Sequence, residues 1–148
     1  MAITTIRVPA PTEAVWATIL DPTTYPEWLV GADHMRAVDD DWPAVGSRFH
    51  HTVGFGPVKV SDHSTVRVLE PRHRLVLGVR ATVIVQAEVT FRLRAVGGET
   101  ELELQEEPDT RFGELVRPLL DPMTHGRNQL SLERLRDVVA RRAGTTPA

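Results

Sequence analysis

Period two dominates the middle of this chain and period 3.6 its end. From His34 onward apolar and polar residues alternate, and the alternation reverses repeatedly at turn signals, which predicts successive antiparallel hairpins. Gly97-Gly98, taken as a two-residue turn, pairs Leu93 with Leu102 and Phe91 with Leu104 on one face, and Arg94 with Glu101 and Arg92 with Glu103 on the other. A one-residue slip would scramble both faces. Upstream, a turn over Glu70 to His73 pairs Val68 with Leu75 and Val66 with Leu77. Another at Phe55-Gly56 pairs Val53 with Val58 and Phe49 with Asp62, placing His51 beside Val60. Both hairpins put the same face of the Val58 to Val68 strand inward. The predicted interior holds Phe49, Val53, Val60, Leu77, Val89, Phe91 and Leu104, interrupted by His51, Asp62, Ser64 and, opposite Val89, Glu106.

The ends of the chain read differently. Ile3 to Val8 predicts a strand, Thr12 to Leu20 a helix with Val15, Trp16, Ile19 and Leu20 in its apolar stripe, and Thr23 to Leu29 a turn or second short helix. After Pro108 a first helical piece carries Leu115, Val116, Leu119 and Leu120, with a kink near Pro118 and Pro122. A long helix then runs from Asp121 to Arg142, with Asp121 as N-cap and Gly144 ending the run. Its inner arc has two characters. Leu132, Leu135, Val138 and Val139 are apolar, whereas Thr124, Asn128 and Ser131, earlier on the same arc, are polar. A buried polar group without a partner costs roughly 1–3 kcal/mol. Either this half borders a cavity where a ligand, water or other side chains meet those groups, or it lies at a solvated edge.

Composition narrows the function classes. A chain of 148 residues fits a single domain over 1–148, with 143–148 expected to be a loose tail. Net charge of −3 gives no basic footprint, so no nucleic-acid partner is expected. No cysteine is present, which removes thiol chemistry and fits a reducing compartment. No stretch approaches the roughly 20 apolar residues of a membrane span, and the start does not read as a signal peptide; a cytoplasmic protein without integral membrane association is expected, as monomer or homodimer.

The order of strand, two short helices, antiparallel strands and closing helix predicts an α+β fold in which a sheet of about seven strands wraps the last helix. Ala10-Pro11-Thr12-Glu13-Ala14-Val15-Trp16, Asp21-Pro22, Tyr25-Pro26-Glu27-Trp28, Val45-Gly46-Ser47-Arg48-Phe49 and Val68-Leu69-Glu70-Pro71 follow in that order. With the closing helix they resemble the SRPBCC superfamily, the START-like, helix-grip proteins, in its polyketide cyclase/dehydratase-like branch. The resemblance covers about the whole chain. It implies a hydrophobic cavity between the curved sheet and the last helix, with its mouth near the short helices and hairpin loops. Members carry or sense lipids, sterols, quinones and polyketides, and some catalyse cyclisation or dehydration; fold alone does not choose among these.

For binding, Trp28 and Phe55 are expected near the entrance, although Trp28 also reads as a packing residue that locks the short helices. Phe49, Val60, Leu77, Val89, Phe91 and Leu104 give the apolar lining, and Thr124, Arg127, Asn128 and Ser131 the polar contacts. For catalysis, the candidates are His51, Asp62 and Glu106. The deduced register sets His51 and Asp62 diagonally on one face, where a carboxylate would favour the charged imidazole of a general acid or base; equally, the two form a polar pair that stabilises the sheet. Glu106, if protonated, would donate a hydrogen bond to a ligand carbonyl. Two places before a proline, it also marks where the strand leaves the core. Arg127 would pair with Glu106 or with an acidic ligand. No metal is expected: His50 and His51 face opposite sides, and His50 with His63 on the outer face lacks a third ligand. Gly54-Phe55-Gly56 reads as a hairpin turn rather than part of a dinucleotide loop, and no other cofactor motif is present.

Overall fold

The structure, a computed structural model, describes residues 2–30, 32–55, 57–80, 86–108 and 111–144, and the side chains of these apart from 33, 53–55, 58–60 and 111–123. Seven strands form one antiparallel sheet in the order β1-β7-β6-β5-β4-β3-β2: β1 Ala2–Val8, β2 Ala32–Val38, β3 Arg48–Phe55, β4 Val58–Glu70, β5 Arg74–Arg80, β6 Gln86–Val96 and β7 Glu99–Pro108. Between β1 and β2 lie α1 Thr12–Ile19, a 3₁₀ turn Pro22–Thr24 and α2 Tyr25–Trp28, and α3 Arg111–Arg142 closes the chain against β1 and β7. This is the α+β helix-grip arrangement. The Asp21 carboxylate caps the 3₁₀ turn by accepting from the Thr23 backbone N–H, as an Asx-Pro start favours.

The β6–β7 register is the predicted one, with Leu93 opposite Leu102, Phe91 opposite Leu104, and Arg92 and Arg94 opposite Glu103 and Glu101. The last two pairs close as ion pairs of 3.1 and 2.9 Å on the solvated face. In β3–β4 the expected register is off by two residues: Phe55 pairs with Val58, so Phe49 meets Ser64 and His51 meets Asp62 directly. Strand periodicity is two, so this shift preserves the faces.

In β4–β5 the correction is different in kind. Val66 does pair with Leu77, but a bulge follows, and Val68 meets Val76 while Leu69 meets Leu75. Loop 71–73 has three residues; the His73 N–H donates to Glu70 O at 2.9 Å, and Arg72, at φ 63°, occupies the position after Pro71 where a type II turn needs positive φ. The extra residue of the bulge turns Leu69, not Val68, toward the core. It also lays the Arg67 guanidinium over Gly78, where a Cβ would stand 2.5 Å from Arg67 Nε. Because a flexible arginine end can move aside, Gly78→Ala is expected to cost under about 1 kcal/mol in a urea melt, well short of a core cavity.

The two helical pieces expected after Pro108 are one helix, with no end at Asp121. A proline removes one backbone donor but its φ fits a helix, so Pro118 and Pro122 signalled lost bonds rather than a boundary. Ile6, Val8, Val15, Ile19, Phe49, Val66, Leu75, Leu77, Phe91, Leu93, Leu102, Leu104, Leu132, Leu135, Val138 and Val139 share one buried core.

Candidate functional site

The core is sealed at one end of the sheet and loosens at the other. Along β5 burial falls from Leu75 and Leu77 to half-buried Val79, along β6 from Leu93 and Phe91 to Val89, and along β7 from Leu102 and Leu104 to Glu106. On α3 it falls from Leu135 and Leu132 through Asn128 to half-buried Thr124. The looser end is where the β3–β4 hairpin and the start of α3 lie, and it holds His51, Ser64, Glu106, Thr124 and Asn128; at the other end the buried hydroxyls of Ser47 and Thr100 donate to the carbonyl oxygens of Ala44 and Ala10.

One wall belongs to β7 and α3. Residues one helical turn apart share a face, so Thr124, Asn128 and Ser131 follow one another toward the sheet. Asn128, only 3% exposed, donates from Nδ2 to Glu106 Oε2 at 3.1 Å, and Arg127 Nη2 reaches the same oxygen at 2.5 Å. The predicted Arg127–Glu106 pairing is thus present, with Glu106 Oε2 accepting from both Arg127 and Asn128. Ser131 serves the fold: its Oγ accepts from the Val30 backbone N–H at 3.0 Å, tying the chain after α2 to α3. Sequence reasoning missed His125, whose Nδ1 lies 3.1 Å from buried Thr4 Oγ1. The alternation Thr4-Ile6-Val8 signals that Thr4 faces inward, but His125 sits off the apolar arc of α3.

The second wall belongs to β3 and β4. His51 is 5% exposed, and its Nε2 lies 3.1 Å from Ser64 Oγ. Asp62 stands opposite in register, yet its carboxylate turns elsewhere: Oδ1 accepts from the His63 backbone N–H at 2.9 Å and lies 3.3 Å from His63 Nδ1, while Oδ2 lies 3.4 Å from Arg80 Nε. Arg36 braces this edge by donating to the carbonyl oxygens of His51 (3.4 Å) and Asp62 (3.0 Å).

The charged imidazole expected from a nearby carboxylate is therefore corrected. Burial pushes His51 below the ordinary histidine range, outweighing the opposing pull of Asp62. His63 is lowered as well, first by burial and then by Arg48. A histidine whose folded pKa lies below its unfolded value, about 6.5, leaves stability untouched above that pH and removes it as pH falls below, because only the unfolded chain takes the proton readily. Urea melts at pH 7 and 5.5 are expected to show this loss, at most about 1.4 kcal/mol per pH unit for each histidine, and His51→Gln to flatten part of it.

The remaining predicted residues divide. Phe49, Leu77, Phe91 and Leu104 are buried in the core, and Val89 is half-buried against it. Trp28 is 1% exposed, with edge-on contacts to Tyr25 and Phe91, so its place near an entrance is corrected to the core. The side chains of Phe55 and Val60 lie outside the described residues. On the outer face His50 and His63 have ring centroids 6.2 Å apart, and among the described residues no group of three or more His, Asp or Glu is placed to hold a metal ion. An open depression of about 630 Å³ on that face is bordered by Glu70, Arg74, Arg92, Arg94, Glu101 and Glu103, whose arginines are already ion-paired. It offers little to an apolar molecule.

A seven-stranded sheet gripping a long C-terminal helix defines the helix-grip class. Within it, the chain belongs to the polyketide cyclase / dehydrase and lipid transport family, which it matches over residues 3–140. No curated protein sequence matches it. Among solved structures it is similar to the Zhui aromatase/cyclase from a Streptomyces species, at 18% identity and TM-score 0.77, with 98% of each chain covered. It is also similar to a protein from Thermus thermophilus, at 16% identity and TM-score 0.73, covering 96% of this chain and 98% of that one. The di-domain ARO/CYC StfQ of the steffimycin biosynthetic pathway gives 11% identity and TM-score 0.75, covering 97% of this chain but only 51% of that one. At these identities the structural likeness speaks for the fold. Among the described residues no helix is long and apolar enough to cross a membrane.

Proposed function

We propose that the protein binds a small, mostly hydrophobic molecule, such as a lipid, quinone or polyketide, at the loose end of its interior between α3 and the sheet. The observation that carries this reading is the pairing of Glu106 with Asn128 and of His51 with Ser64 on two walls at the loose end of a mostly apolar interior. A few fixed polar groups on an apolar lining orient a ligand by its polar end while its body displaces water. Family membership supports the same class of ligand. The reading needs no cofactor, and it takes the cytoplasm as the compartment. Mass spectrometry of natively purified protein, with dye displacement by lipids, quinones and aromatic polyketides, is expected to find a retained or displacing apolar molecule. Empty protein that no compound engages would overturn the reading.

A second reading, a polyketide cyclase, aromatase or dehydratase, is favoured by one observation: His51 is buried and its proton affinity lowered, so it is a neutral base near pH 7. A positioned base of this kind contributes roughly 10²- to 10⁴-fold. Because Asp62 turns to His63 and Arg80, any help it gives His51 is through its field alone. Glu106 would serve there as a second proton-handling group. Turnover of a poly-β-ketone analogue by wild type, His51→Ala and Asp62→Asn, with affinity measured alongside, separates the two. The binding reading expects no turnover in all three; turnover lost in His51→Ala with affinity retained would establish the enzyme.

A further inference from the structure

Resting on that binding site, we infer that Glu106 is its specificity filter, admitting neutral ligands that carry a hydroxyl donor, such as a phenol or enol, and rejecting carboxylates. Glu106 is held on the inner face of β7 opposite Val89, with its side chain 19% exposed. Its Oε2 is occupied by Arg127 and Asn128, and among the described residues Oε1 accepts no hydrogen bond. The carboxylate is thus fixed in place with one acceptor oxygen to spare. Asn128 is buried and Arg127 holds the same oxygen through Nη2, so the pair fixes the carboxylate's direction and leaves Oε1 as the group that faces a ligand. A ligand hydroxyl would donate to Oε1 in a charge-assisted bond, shorter and stronger than a neutral one. A ligand carboxylate arriving at the same place meets like charge in a partly desolvated site, where such repulsion is poorly screened. Arg127 lies on the Oε2 side of the carboxylate, so the repulsion at Oε1 is reduced but a donor is still favoured there over a second anionic oxygen.

The test uses three ligands that share one ring system: 2-naphthol, 2-methoxynaphthalene and 2-naphthoate, titrated into the full chain by fluorescence at neutral pH. Wild type is expected to bind 2-naphthol roughly tenfold or more tightly than either of the others, the size of one charge-assisted hydrogen bond. In Glu106→Gln the naphthol preference over the ether should shrink severalfold, and 2-naphthoate should gain, because the repelling charge is gone and Arg127 is released. Arg127→Gln provides a variant that keeps the carboxylate: there 2-naphthoate should bind no better than in wild type. Equal wild-type affinity for all three, or naphthoate the tightest, would overturn the filter while leaving the binding site standing. Failure of all three to bind would overturn the filter, and the binding site falls with it only if the lipids, quinones and polyketides of the displacement screen fail as well.

Discussion

Trp28→Ala is expected to lower the unfolding free energy by about 3–5 kcal/mol, the cost of emptying a large buried aromatic site. The indole packs edge-on against Tyr25 at 5.2 Å and Phe91 at 6.1 Å between ring centroids, linking the short helices to the middle of the sheet. Its Nε1 donates to Thr24 Oγ1 at 2.9 Å, and that hydroxyl in turn donates to Asp21 O at 2.8 Å. Tyr25, its neighbour, donates its hydroxyl to Ile19 O, and burial holds that proton on well above the ordinary tyrosine range. Trp28→Phe keeps one aromatic ring but loses the donor and part of the volume, so a smaller loss of about 1–3 kcal/mol is expected. Chemical denaturation checks both. A change under about 1 kcal/mol in Trp28→Ala, with altered ligand affinity instead, would return Trp28 to an entrance.

Leu135→Ala should be nearly as severe, about 2–5 kcal/mol, because Leu135 is fully buried where α3 meets the sealed end of the core. Thr124→Leu, near the start of the same inner arc, is expected to move stability by less than about 1 kcal/mol, since Thr124 is half-buried at the loose end. The contrast between these two is the energetic form of the two-sided helix. Equal costs at both positions would mean that α3 seals one continuous core along its length.

The fold was legible where two faces constrain one register. Arg92 and Arg94 could meet Glu103 and Glu101 only if Phe91 and Leu93 met Leu104 and Leu102, and that hairpin is as expected. Where a turn lacks such a check, the register moved. Phe55-Gly56 and Gly56-Pro57 are equally good turn dipeptides, and choosing the first displaced His51 from Asp62 by one strand repeat. A bulge leaves no composition signal at Arg67, so Val68 was given the core place that Leu69 holds.

The Arg127–Glu106 pair was legible because Glu106 breaks an apolar face and Arg127 flanks the inner arc of α3 that faces it. The state of His51 was not, because the sequence names its charged neighbour but not the depth of burial that outweighs it. Nor was the turning of Asp62 toward His63 and Arg80, a matter of rotamers that strand alternation does not reach.

The measurement that bears most directly on an interior ligand site is the pattern of amide chemical-shift changes when 2-naphthol is titrated into the isotopically labelled protein. The changes are expected at Met35, Val79, Val89, Glu106, Thr124 and Asn128, which come from β2, β5, β6, β7 and α3 but converge on the loose end of the interior. Shifts confined instead to Arg74, Arg92, Arg94 and Glu101 around the outer depression, or none at all up to saturation of the ligand, would contradict it.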